Sequence, residues 1–344
     1  MTSFAPDHPY RRVTLEQPGG LRIELSDLGA TWLSCQVPLA DGTRREVLLG
    51  YDRPEEYLLQ PGYLGAVVGR YANRIAQARY VRGATSVQLI ANEGGNQLHG
   101  GPQGFDRQRW NIEAHGPREA VFSLHSPDGD QGFPGAVHAL TRYTLGADGS
   151  VTIEFEATTT RPTPLALTQH AYFNLDDAHT DIRGHSLRIR AEQFVPVDAQ
   201  LIPLGTLDPV AGTGFDFRTP RRIADRFLDS EQQRLHGGYD HCFLIDPRCR
   251  DGSLPAAELE SSDARLTARL YTDRSALQFY SGQALATTQR RGGDGGYARC
   301  SGLALEPGVP PDSPNRPQWS PWSDCFVEPG TTWRASMRWE FEGR

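Results

Sequence analysis

The sequence predicts a mainly β protein: a large antiparallel β-sandwich with few short helices. Three observations lead there. Short segments alternate apolar and polar residues, as a half-buried strand requires. The 344 residues hold 36 Gly and 25 Pro, too many breakers for long helices. Turn residues separate one alternating segment from the next.

Taken along the chain, Leu21, Ile23 and Leu25 alternate with Arg22 and Glu24 as a strand. Tyr51 to Leu58 reads as a turn or two of helix. His138 to Leu145 and Val151 to Ala157 flank Ala147-Asp148-Gly149 and predict strand, tight turn and strand, with Val151, Ile153 and Phe155 on one face. Pro220 to Ser230 predicts a short helix, with Thr219 as N-cap and Pro220 at the first position. Gly292 to Gly296 reads as a mobile loop rather than a linker. In the last segment Trp333, Ala335, Met337, Trp339 and Phe341 alternate with polar residues, a half-buried final strand. No composition break or repeat divides the chain, so one domain over 1–344 is expected.

Composition removes several functions. All 35 basic residues are arginine, which excludes Schiff-base, PLP and P-loop chemistry built on a lysine amine. A net charge of −7 with scattered arginines offers no basic face for nucleic acid. The five cysteines are odd in number and lack CxxC spacing, which argues against a disulfide framework. His236, His241, Cys242 and Cys249 match no common zinc spacing, so no metal is expected. The N-terminus MTSFAPDHPYRRVTLE has no apolar run of signal-peptide length, and no stretch approaches the roughly 20 apolar residues of a membrane span. A cytoplasmic protein with a neutral small-molecule ligand is expected.

Five segments set polar residues among glycines and aromatics, where sites rather than cores are found. They are GRYANRI at 69–75, NQLHGG at 96–101, TQHAYFNL at 168–175, Gly238-Tyr239-Asp240-His241, and Leu305-Glu306-Pro307 ahead of PDSPN at 311–315. In this order, with Gly104-Phe105-Asp106 and Trp110, the sequence resembles the aldose 1-epimerases, or galactose mutarotases, over nearly its whole length. The resemblance implies a galactose mutarotase-like supersandwich with an open sugar cleft. It implies His170 and Glu306 as the catalytic acid and base. It implies Asn73, Arg74, His99, Asp240 and Gln278 as sugar contacts, with Tyr172, Phe173 and Phe279 as candidates for an aromatic face. No cofactor is implied, and the protein is expected as a monomer or homodimer. One departure stands out: the family often has Glu-x-Gln at the glutamate, and here the third residue is Gly308.

The chemistry suits these residue types. Exchanging α and β anomers opens a cyclic hemiacetal: a base takes the O1 proton while an acid protonates the ring oxygen. A glutamate with an ordinary pKa of about 4.3 is ionised at neutral pH. A histidine near 6.5, raised by a neighbouring carboxylate such as Glu306 or Asp240, is partly protonated there. Alternatives on the same residues are a hexose-phosphate epimerase using Arg70 and Arg74, a non-catalytic sugar-binding module, and a glycosidase pairing Glu306 with Asp240.

Overall fold

The computed structural model describes residues 10–59 and 62–344; the stretch 1–9, part of the N-terminus read for a targeting signal, lies outside the described residues. Three larger antiparallel sheets build the fold. The nine-stranded sheet runs Asn111–His115, Glu119–Ser126, Val137–Leu145, Ser150–Thr159, Trp333–Gly343, Leu266–Thr272, Ala257–Glu260, Ser186–Ile189 and Arg221–Arg222. The six-stranded sheet runs Tyr172–Phe173, Leu303–Gly308, Ala276–Tyr280, Asp240–Ile245, Ala191–Val195 and Asp208–Pro209. The four-stranded sheet is a meander of Arg12–Glu16, Arg22–Ser26, Trp32–Pro38 and Arg44–Glu46.

The alternation decides which face is buried. Val151, Ile153 and Phe155 lie opposite Trp339, Met337 and Ala335 of the final strand, and all six are buried. These cross-strand pairs are the stabilising unit of a sheet. On the outer face Glu156 accepts a hydrogen bond from Arg334 at 3.1 Å. Phe173 ties the sheets together: its ring packs edge-on against Trp32 at 6.0 Å and tilted against Trp339 at 4.2 Å. Phe279 stacks on Tyr239 at 5.0 Å. Both phenylalanines belong to the core and not to the ligand cavity.

The helix expected from Pro220 does not form. Arg221–Arg222 pairs at the edge of the nine-stranded sheet, and Ile223–Arg226 makes a single 3-10 turn. The helix comes later, at Glu231–His236. Tertiary contacts override the Pro220 signal: Arg221 donates to the carbonyls of Asp216 and Gly214 and lies 3.9 Å over the Phe217 ring. The better cap is Ser230, which forms a capping box with Gln233, and Gly237 closes the helix at φ 71°. The other helix, Glu56–Leu59, overlaps only the end of the segment expected from Tyr51. No helix among the described residues is long and apolar enough to cross a membrane.

The six-stranded sheet organises the polar motifs. Gln278 lies opposite Glu306 on one side and Cys242 on the other, while Tyr280 lies opposite Asp240. Within Leu303–Gly308, Leu303 and Leu305 point into the core, so Glu306 is turned to the other face.

Candidate active site

The strand Arg74–Ile75 pairs with Gln97–Leu98, which brings two motifs distant in sequence side by side. The Asn73 amide donates to His99 Nδ1 at 3.2 Å, and the His99 amide donates to the Asn73 carbonyl at 3.1 Å. Gly100 makes the approach possible. At φ +87°, a Cβ there would lie 1.9 Å from the Gly69 carbonyl oxygen. Tyr63, Asn73, His99 and Leu201 border the resulting cavity with φ between 50° and 65°, a conformation that costs about 1 kcal/mol or more per residue and gathers at sites.

The cavity measures about 350 Å³. His170 Nε2 and Glu306 Oε1 stand 3.5 Å apart at its wall, each side chain only 5% exposed. The rings of His99, Tyr63 and Tyr172 surround His170, with centroids 5.2, 5.9 and 5.0 Å away. Asn73, Arg74, His99, Tyr172 and Asp240 also border the cavity, so seven of the eight expected site residues converge. Gln278 does not border it. Its Nε2 instead donates to Asp240 Oδ1 at 2.6 Å, so it holds Asp240 from behind.

Glu93, Tyr63 and Tyr280 escaped the sequence reading and line the same cavity. Glu93 accepts a bidentate pair from Arg74, 2.5 Å from Nε and 2.8 Å from the terminal nitrogen. This fixes the guanidinium in one plane. No spacing in the sequence linked Glu93 to Arg74; the pairing of the short strands does. Arg70, read as a possible phosphate ligand, points away. Its guanidinium donates to Ser126 and to the carbonyls of Pro127, Pro134 and Gly135.

Burial governs the electrostatics. His170 is lowered to about 4 by desolvation. Glu306 is raised to about 8 by desolvation and then by the Asp240 charge, against the pull of Arg74. Burial also raises Asp240 and lowers His99. Burial thus works against the expected protonated histidine beside an ionised glutamate and favours the neutral form, imidazole beside carboxylic acid.

His99, His170 and Glu306 each bring a potential metal-ligand atom within 4.8 Å of the others. The His99 tautomer opposes that use. Because His99 Nδ1 accepts from the Asn73 amide, the neutral ring carries its proton on Nε2, which makes that atom a donor. His241 is likewise engaged at both nitrogens, with the Asp240 amide at 3.0 Å and Gln232 Oε1 at 3.3 Å.

Comparisons with known proteins agree with this architecture. A family model described as aldose 1-epimerase matches residues 11–340. The aldose 1-epimerase of Escherichia coli (strain K12) is 47% identical over 340 residues, covering 98% of this chain and 97% of its own. The galactose mutarotase of Bos taurus is 35% identical, covering 92% and 91%. Among solved structures, an aldose epimerase homologue from C. elegans superposes with a TM-score of 0.88 at 27% identity, covering 97% and 99%. A galactose 1-epimerase from Lactobacillus acidophilus NCFM superposes with a TM-score of 0.85 at 28% identity, covering 99% and 97%.

Proposed function

The chain belongs to the aldose 1-epimerase family and is an isomerase of aldose anomers; on that premise we propose that His170 and Glu306 carry its two proton transfers. The observation that carries the assignment is the 3.5 Å approach of His170 Nε2 to Glu306 Oε1 at the wall of the polar cavity. Glu306 takes the O1 proton while His170 delivers one to the ring oxygen, and the C1–O5 bond breaks to give the open-chain aldehyde. Rotation about C1–C2 presents the other carbonyl face, and closure reverses the transfers.

The electrostatics favour this direction of transfer. Ring opening converts imidazolium and carboxylate into imidazole and carboxylic acid, the form that burial stabilises. Sugar hydroxyls donating to Glu306 stabilise the charged form in the bound complex, so neither state is a deep trap. Around the ring, Arg74 and the His99 Nε2–H donate, Asp240 accepts, and Asn73 closes the same side. Tyr172 supplies an aromatic wall for the sugar's C–H face.

The substrate is an uncharged aldose, galactose or a relative. Arg74 is the one arginine of the cavity wall among the described residues, and Glu93 already neutralises it. Asp240, which borders the cavity and accepts from Gln278, would repel a phosphate. The five cysteines are free and buried, which supports a reducing, cytoplasmic setting. A role in carbohydrate metabolism, as a one-domain monomer or homodimer, is part of the same proposal.

The test is optical rotation of freshly dissolved α-D-galactose. Native protein should speed equilibration, and His170→Asn and Glu306→Gln should each lose about 10²–10⁴-fold in kcat. Full activity in Glu306→Gln would overturn the base assignment. No acceleration of galactose, glucose, xylose or arabinose would overturn the free-sugar reading.

A further inference from the structure

Behind Glu306 lies a second, much smaller cavity of about 20 Å³, bordered by Thr168, Gln278, Glu306 and Gly308 among others. A space of this size admits one water. Two buried polar atoms on these residues have no protein partner, Thr168 Oγ1 and Gln278 Oε1. Thr168 is 1% exposed and Gln278 8%. The orientation of the Gln278 amide is set by chemistry. Its Nε2 must face the Asp240 carboxylate, to which it donates at 2.6 Å, so its carbonyl oxygen faces elsewhere.

Gly308 makes this space. It follows Glu306 by two residues in the strand Leu303–Gly308, so a side chain there would project on the same face as Glu306. A Cβ at Gly308 meets nothing within 4 Å. This is the position where the resemblance leads one to expect a glutamine.

We propose that the pocket binds one water molecule, held by Thr168 and Gln278, that donates a hydrogen bond to the Glu306 carboxylate and positions it, and that Gly308 leaves the room for it. The hydrogen-bond arithmetic closes. The Thr168 hydroxyl donates to the water oxygen. One water hydrogen goes to Gln278 Oε1 and the other to Glu306. Three bonds satisfy both unpartnered atoms and match the usual coordination of a buried water. Thr168, Gln278 and Gly308 are then positioning residues, acting on the base through the water. The catalytic consequence rests on the assignment of Glu306 above.

A donor to the carboxylate favours its charged form. The other titratable groups around Glu306 are His170 and His99 at 4.8 Å or less, Tyr172 and Cys242 through the field, and Asp240 and Arg74 with opposed signs. None of them is itself altered in Thr168→Val or Gly308→Ala.

The experiment combines a high-resolution crystal structure of the native protein with pH profiles of kcat/KM for Thr168→Val, Thr168→Ser and Gly308→Ala. The map should show a water within hydrogen-bond reach of Thr168, Gln278 and Glu306. Thr168→Val removes the hydroxyl at nearly constant volume, and Gly308→Ala narrows the pocket. Each should move the alkaline limb to higher pH by about one unit, the scale of one lost hydrogen bond to a charged group. Thr168→Ser should keep the native limb. An empty pocket, or a limb unmoved in both Thr168→Val and Gly308→Ala, overturns the proposal. Should Thr168→Val fail to fold, Gly308→Ala decides alone. Activity retained in Glu306→Gln would instead overturn the base assignment and leave the water site to be judged by the map.

Discussion

Replacing Glu93 by alanine isolates the role of Arg74 in binding. Arg74 is 9% exposed at its side chain and is held by Glu93 through two hydrogen bonds, 2.5 and 2.8 Å long. Opposite charges about 4 Å apart attract by about 4 kcal/mol at an effective dielectric of 20. Glu93 is 38% exposed, so solvent screens much of this. Truncating one partner of a fully buried pair costs about 3–5 kcal/mol and of an exposed pair under about 1. The half-buried case lies between, at about 1.5 kcal/mol. Arg74 bounds the cavity but does not touch the His170–Glu306 contact, so under the proposed function the loss falls on binding. Initial rates of α-D-galactose mutarotation, measured by polarimetry over a range of concentrations, should show KM raised about tenfold and kcat changed less than about threefold. A fall in kcat at constant KM would refute the reasoning and make Arg74 a transition-state contact. No change in either constant would remove Arg74 from the sugar contacts.

Four further outcomes are expected. The kcat/KM profile should be bell-shaped, with a plateau between about pH 4 and 8: below it His170 gains a second proton and no base remains, and above it Glu306 loses its proton and no acid remains. Asp240→Asn removes a charge that raises Glu306, so the alkaline limb should move to lower pH in the same assay. Gly100→Ala should destabilise the fold by about 3 kcal/mol, seen as a lower urea midpoint, because its Cβ would lie 1.9 Å from the Gly69 carbonyl at a positive φ. Glucose 6-phosphate should not be accelerated under conditions that equilibrate free glucose, since Arg74 is neutralised by Glu93 and Arg70 faces the loop carbonyls.

Much of this protein was legible in the residues themselves. The alternation of Val151, Ile153 and Phe155, and of the last eleven residues of sheet from Trp333, fixes strand and buried face together, because a strand's side chains have a period of two. The meeting of His170 and Glu306 at one cavity was expected from the resemblance that their motifs carry. Other features required the folded chain. The helix near Pro220 shifted to Glu231–His236 because Arg221 found carbonyls and an aromatic face outside its own segment. Gln278, expected as a sugar contact, donates to Asp240 from outside the cavity lining, and Glu93 is the partner of Arg74, because strand pairing joins residues that no local spacing relates. The proton affinities of the pair depend on tertiary structure. Residue type sets a reference affinity for protons, but only the surrounding fold sets how much water each group loses, and desolvation lowers His170 to about 4 while it raises Glu306 to about 8, reversing their order.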